Sequence, residues 1–257
     1  MGNNLGTTTV YVYDATPGTG VTGLTVRAGQ SQGAQPLQSW QTATGAEVGY
    51  VDAAGTLAAA AVRATGSATR AAWQEAGVAT DPSTRNDGDS WYNTTQQARK
   101  GAAAGRVHTV PQVLCASTGA STNSTAHTRL GSCTFPADFL RPGDRVEIRF
   151  DYSHDGAAAD FGIEVAWGGS IVLARIGALS ESRLTGKAEV GVHADGAQFS
   201  VQSWGSNLAL EAAAGEANDP LAIPIAVDFL GRMEATTTDT VTLRNFTVVR
   251  YPAQANP

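Results

Sequence analysis

The sequence predicts an all-β protein: an extended N-terminal arm of short strands followed by a C-terminal antiparallel β-sandwich, jelly-roll-like. Three observations carry that prediction. After residue 110, apolar and polar residues alternate strictly over long stretches. Gly- and Asp-containing turns separate these stretches roughly every 10 to 15 residues. Between them no segment places its apolar residues at helical spacing.

Residues 1–63 read as the arm. "TTVYVYD" is one alternating strand, and "LTVRA", "PLQSWQT" and "EVGYVDAAGTLAA" are three more short pieces. Each carries only one or two large apolar residues. Trp40, Tyr50, Val51 and Leu57 cannot close a core within so short a length of one chain. Three copies wound about a common axis would bring them together and would pair each strand edge with a neighbour. A homotrimer with these four residues in its core is therefore expected. Residues 64–110 read as an Ala/Gly/Thr-rich connector interrupted by the turn cluster "TDPSTRNDGDSWYNTT".

Residues 111–257 read as the sandwich head. In "DRVEIRFDY" the alternation puts Val146, Ile148, Phe150 and Tyr152 on one face, and Arg145, Glu147, Arg149 and Asp151 on the other. "DFGIEVAW" does the same with Phe161, Ile163, Val165 and Trp167. "KAEVGVHADGAQFSVQSW" reads as two strands joined at Asp195-Gly196, a dipeptide that favours a type I′ turn. "IPIAVDF" adds Ile225, Val227 and Phe229 to the core, and "DTVTLRNFTVV" adds Val241, Leu243, Phe246 and Val248.

The 257-residue chain has 42% apolar residues but only 16% charged ones, against about 25% in an average soluble protein. Its surface must therefore rest on Thr, Ser, Asn and Gln, or be covered by other subunits. Net charge is −6 with two Lys and no basic cluster, so a nucleic-acid partner is not expected. No run of 18 apolar residues suggests a membrane span. The first residues lack the basic and apolar regions of a secretory signal, so synthesis in a cytoplasm is expected. Cys115 and Cys133 lie symmetrically about Ser124, where a long hairpin would set them opposite each other. Cytoplasmic synthesis favours two buried free thiols over a disulfide.

Several short patterns resemble those of one family. Leu37, Gln38, Trp40, Gln41 and Gly45, followed by Val51, Asp52, Gly55 and Leu57, match a module of tailed-bacteriophage tail and appendage proteins. "NDGDSWYNTT" (Asn86 to Thr95) is similar to the G-D-x-W-Y-N-T motif of phage fibre and tail proteins. Leu140, Gly143 and Asp144, then Gly168 to Leu173, then Asp239 to Val248 resemble the strands of a β-sandwich that closes such virion proteins. The resemblance implies a homotrimeric tail fibre, spike or minor tail protein, assembled in the host cytoplasm and resident in the virion. It implies attachment to other virion proteins through the arm. A capsid decoration protein or head fibre is the alternative, and a glycan-cleaving tailspike the second alternative.

Reactive patterns reduce to turns and loops. "GQSQG" around Ser31 lacks the strand–turn–helix setting of a nucleophile elbow. Asp87 and Asp89 lack the further ligands of a calcium loop. His154, Asp155 and Asp160 share a loop without a fixed partner. Asn93, Asn123 and Asn245 stand in N-x-[ST] sites, which mean nothing without secretion. No catalytic residue, metal or cofactor is expected. Large aromatics beside polar residues are how sugar rings are gripped, so Trp91, Tyr92, Trp167 and Trp204 are candidates for a host-surface polysaccharide, or else for an interface or core.

Overall fold

The computed structural model describes residues 38–51, 57–59, 75, 77–204 and 215–254, and the chain clusters into two compact units, 1–74 and 75–257. Every described element is a strand or turn. The all-β prediction holds.

In the first unit, β1 (Gln38–Gln41), β2 (Glu47–Val51) and β3 (Leu57–Ala59) form one antiparallel sheet in that order. Gly45, at φ +84°, turns β1 into β2, and the amide of Gly45 donates to Thr42 O. Among the described residues of this unit Gly49 is buried, and a Cβ on it would stand 3.0 Å from Ala58 O. The N-terminal strand expected at "TTVYVYD", the piece "LTVRA" and Ser31 lie outside the described residues.

The second unit starts with a small sheet. β4 (Gly77–Val78) runs parallel to β5 (Ser90–Asn93), which pairs antiparallel with β6 (Ala98–Ala103) and on to β7 (Arg106–Thr109). Ala104 and Gly105 both take positive φ, which closes β6 and β7 with a two-residue left-handed turn. Residues 75–110 thus belong to the same compact unit as the sandwich.

The sandwich is built from β8 (Gln112–Ser117), β9 (Ser121–Thr122), β10 (Thr128–Phe135), β11 (Arg145–Asp155), β12 (Phe161–Trp167), β13 (Ser170–Gly177), β14 (Arg183–Ala194), β15 (Ala197–Trp204), β16 (Gly215–Ala217), β17 (Ile225–Met233) and β18 (Thr240–Tyr251). One sheet runs β16-β15-β14-β11-β18-β8, with β9 also on β18; the other runs β10-β17-β12-β13. All their pairings are antiparallel.

The alternation read from the sequence decides which face meets which. Val146, Ile148, Phe150 and Tyr152 of β11 and Val241, Leu243 and Val248 of β18 pack against Phe161, Ile163 and Val165 of β12 and Ile225, Val227 and Phe229 of β17. Each such side chain contributes about 1.5–3 kcal/mol by leaving water. Phe229 and Phe246 meet across the sheets with ring centroids 4.6 Å apart. The Tyr152 hydroxyl donates to Leu230 O of the opposite sheet, which satisfies a phenol whose pKa burial pushes far above its usual value.

Two sequence expectations are corrected. Cys115 and Cys133 form a disulfide, not two free thiols, and no hairpin joins them. Cys115 lies on β8, at one end of the larger sheet, and Cys133 on β10, at one end of the smaller, so the bond ties the two sheets together along one side. The turn at Asp195-Gly196 is not type I′, since Gly196 alone takes a left-handed φ, +68°. The register slips instead between Val192 and Ala194, and the Asp195 carboxylate turns away to accept from the Leu221 amide.

Candidate functional site

The W-Y-N stretch of the small sheet is organised by one carboxylate. Alternation along β5 sends Trp91 and Asn93 to the same side, and Tyr92, half-buried, to the other. Asp81 Oδ1 accepts from Trp91 Nε1 at 3.0 Å and from Asn93 Nδ2 at 2.8 Å, and Oδ2 accepts from Lys100 Nζ at 2.8 Å. Lys100 is buried, so Asp81 is the counter-charge that lets it stay there. Burial pushes the Asp81 carboxyl up, but the bonds from Lys100, Asn93 and Trp91 outweigh it and hold the group below its usual value. Trp91 packs with Ala102, Val107 and Val78 in a second small core.

Asn93 also accepts the Gln96 amide at Oδ1, which fixes the turn from β5 to β6. That turn is where the small sheet meets the sandwich. Arg250, fully buried near the end of β18, donates to Gln96 O and Gln97 O of the turn, to Gln112 Oε1 of β8 and to Asp144 Oδ2. Its guanidinium lies 4.4 Å from the Phe139 ring centroid. The "L-x-x-G-D" pattern therefore has a physical role here. Leu140 is buried, Gly143 turns at φ +92°, and Asp144 receives Arg250 along with the amides of Arg141 and Ala253.

The predicted aromatics are dispersed. Trp167 is wholly buried with its ring 5.2 Å from that of Phe135, inside the sandwich, so it offers no face to a sugar. Trp91 is likewise buried and held by Asp81. The side chain of Trp204 lies outside the described residues. In the arm, Trp40 is 41% and Leu57 51% exposed, while Tyr50 and Val51 are half-buried.

The loop acids are structural. Asp89 accepts the Asn86 amide, closing the 86–89 turn, and Asp87 accepts the Gly105 amide, tying that turn to the one between β6 and β7. His154 is buried against Phe161 with Nε2 3.6 Å from Asp239 Oδ2, whereas Asp155 is exposed and pairs with Arg244. Asp160 accepts the Leu179 amide. These three residues face different partners rather than one another. Among the described residues, no group of three or more His, Cys, Asp or Glu side chains could hold a metal ion.

The outer face of the larger sheet carries a charge ladder and a feature the sequence reading missed. Register sets Glu147 opposite Glu189 and Arg149 opposite Lys187, like against like. Pairs along each strand resolve the conflict: Arg149 to Glu147 at 2.6 Å and Lys187 to Glu189 at 2.9 Å, with Arg145 reaching Glu189 across strands at 2.9 Å. Lys187 first, and Arg145 with it, holds the Glu189 carboxyl below its usual value against the effect of burial. Beside the ladder Phe199 stands 46% exposed, on the residue after Gln198 in an alternating strand. Its outward place is legible from the alternation.

No family model and no curated protein matches this sequence. Among solved structures, the chain is similar to the CBM2 module of the evolved Dit of Lactobacillus casei BL23 phage J-1, at 10% identity and a TM-score of 0.23, covering 71% of this chain and 84% of that one. It is also similar to the structure of infectious bursal disease virus Gx strain, at 13% identity and a TM-score of 0.20, covering 60% of this chain and 45% of that one. Both neighbours are viral, and at such superposition scores neither fixes a family or an activity.

Proposed function

We propose that this chain is a structural protein of a bacteriophage particle, a homotrimeric tail fibre, spike or minor tail protein that attaches through residues 1–63 and presents the sandwich outward. The observation that carries the reading is how little apolar cover the described residues of the arm have. Its sheet has strands of four, five and three residues and leaves about half of Trp40 and Leu57 exposed to water. So small a sheet is not stable without something packed on its apolar face. Sister copies supply that cover at no cost in new sequence, and they protect the short strand edges as well. The order of the phage-like patterns along the chain and the low charged content agree with a surface made to be covered by other virion proteins.

The test is the mass of the purified protein in dilute native buffer, followed by labelling of each terminus in assembled particles. A trimer that Trp40→Gln and Leu57→Gln together dissociate, found in a handful of copies at the tail, supports the reading. A compact single-copy species with a cooperative melt removes the shaft. Many copies spread over the head would move the protein to capsid decoration.

A further inference from the structure

We propose that the outer face of the larger sheet, at its β14–β15–β16 end, is a binding trough for a neutral, hydroxyl-rich glycan with Phe199 as its stacking platform. This inference rests on the outward presentation of the sandwich in the proposed function, but its named groups all lie on one chain and need no trimer.

Register places one row of outward positions across five strands: Tyr251, Arg145, Gly191, Phe199 and Glu216. Tyr251 and Phe199 are 38% and 46% exposed. They stand three strands apart, about 14 Å at the usual strand spacing. Between them Gly191 has no side chain, and a Cβ built there would meet only Phe199 O, at 3.9 Å. The floor beside the Phe199 ring is therefore open. His193, two residues along β14, meets the ring edge-on at a centroid distance of 5.9 Å and limits how it can turn.

The far wall is polar. Glu216 lies directly across from Phe199 and forms no ion pair among the described residues. Gln198, behind it, is fixed by two hydrogen bonds to the backbone of Asp219, from Nε2 to O and from the Asp219 amide to Oε1, both 3.0 Å. A cavity of about 310 Å³ opens here between the Gly196 turn and Asn218, lined also by Phe199 and Glu216.

This set of groups selects a chemical class. An exposed ring accepts the C–H face of a pyranose, the arrangement by which an aromatic gains contact area without needing a polar partner. The exposed Glu216 carboxylate across from it accepts from ring hydroxyls. Acidic sugars are disfavoured, because Glu216 has no ion-pair partner among the described residues and Arg145, the cation in the same row, is already held by Glu189. A second copy of this face is a poorer occupant. It would bury Glu216 without a counter-charge and press the charge ladder into low dielectric.

The test is a titration of the full-length protein with neutral tetrasaccharides built on glucose, galactose or N-acetylglucosamine, with an oligogalacturonate as the acidic control, read by calorimetry and by saturation-transfer NMR. The expected result is saturable binding of at least one neutral sugar and weaker or no binding of the acidic one. Phe199→Ala should weaken binding by roughly five- to tenfold, the scale of a lost aromatic contact. Phe199→Tyr should retain it, and Glu216→Gln should weaken it less than Phe199→Ala. Both exposed positions should keep the parent's melting midpoint. The proposal is overturned if no neutral sugar binds, if Phe199→Ala binds at parental strength, or if that variant instead lowers the oligomer mass, which would make the patch a subunit contact. Finding the chain absent from phage particles removes the virion reading and leaves this titration standing, while a null titration removes the trough and leaves the virion reading standing.

Discussion

Arg250 donates from Nε to Asp144 Oδ2 across 2.7 Å, and neither side chain touches solvent. The pair joins the last strand to the turn that leads into β11, and the remaining guanidinium donors reach Gln96, Gln97 and Gln112. One side chain thus ties together the small sheet, the first sandwich strand and the last. A buried ion pair is often no more stabilising than a good apolar packing of the same volume, but removing one partner leaves the other charged and stranded.

Arg250→Met should therefore cost about 3–5 kcal/mol in chemical denaturation. Arg250→Lys should also be costly, because a single ammonium cannot serve four acceptors in the fixed directions of a guanidinium. The double variant Arg250→Met/Asp144→Leu should lose less than the sum of its single variants. Additive losses would mean the two groups act independently. Hydrogen exchange at Gln96 and Gln97 should accelerate in Arg250→Met before exchange in β11 does.

The Asp81 cluster gives an acid limit. Its carboxyl is held below the usual 3.8 in the folded chain, by Lys100, Asn93 and Trp91 acting against burial. A carboxylate depressed in this way contributes its full stability above the unfolded value and loses it as pH falls through the folded one. The small sheet should therefore loosen below about pH 4 and show no pH dependence from Asp81 near neutrality, as followed by exchange of the β5 and β6 amides. Asp81→Asn should flatten that acid limb and cost roughly 1–3 kcal/mol at pH 7, since Lys100 loses its counter-charge while Asn can still accept one bond. An unchanged acid limb in Asp81→Asn would assign the transition to another carboxylate.

The sandwich is legible because period-2 alternation is a local signal: Val146 to Tyr152 and Phe161 to Trp167 obey it with one face buried throughout, and β18 keeps it on either side of a bulge between Leu243 and Asn245. What the sequence hid depends on contacts between distant residues. Asp144 and Arg250 are separated by 106 positions, and nothing in either neighbourhood names the other. Cys115 and Cys133 were close enough in sequence to be weighed as a pair. Their strands, however, go to different sheets, and an argument from cellular compartment misled where strand placement was the deciding fact. Trp167 looked like a loop-rim aromatic because it ends its strand before two glycines, yet that end of β12 is covered. Asp219 presses so closely on Gly168 that a Cβ there would stand 2.1 Å from its carboxylate. Phe199, by contrast, stands on the open face, where its strand's alternation places it.

The disulfide should act mainly on the unfolded chain. Closing a loop of 18 residues removes about 3 kcal/mol of unfolded-state entropy. Reduction, or Cys115→Ser with Cys133→Ser, should lower the unfolding free energy by about that amount while the far ends of the sheets keep their exchange protection. Because Cys133 is buried in the core and Cys115 only partly so, Cys133→Ser alone should cost more than Cys115→Ser alone under reducing conditions. Equal losses in the two would show that packing around Cys133 contributes little.

Gly156 and Asp239 make the sharpest steric prediction. Gly156 takes φ +131°, and a Cβ on it would fall 2.0 Å from the Asp239 carboxyl carbon. That carboxylate accepts the amides of Ala158 and Ala159, which hold it below its usual pKa and close the β11–β12 loop onto the β17–β18 turn. An alanine would have to displace both the loop and the capping carboxylate, in addition to the strain of its backbone angle. Gly169 is the control, at φ +105° with nothing within 4 Å of its built Cβ. Gly169→Ala should show backbone strain alone, roughly 1–3 kcal/mol. Gly156→Ala should exceed that and also expose the Ala158 and Ala159 amides to exchange. If the two alanines destabilise equally, the close approach of Asp239 is not what requires glycine at position 156.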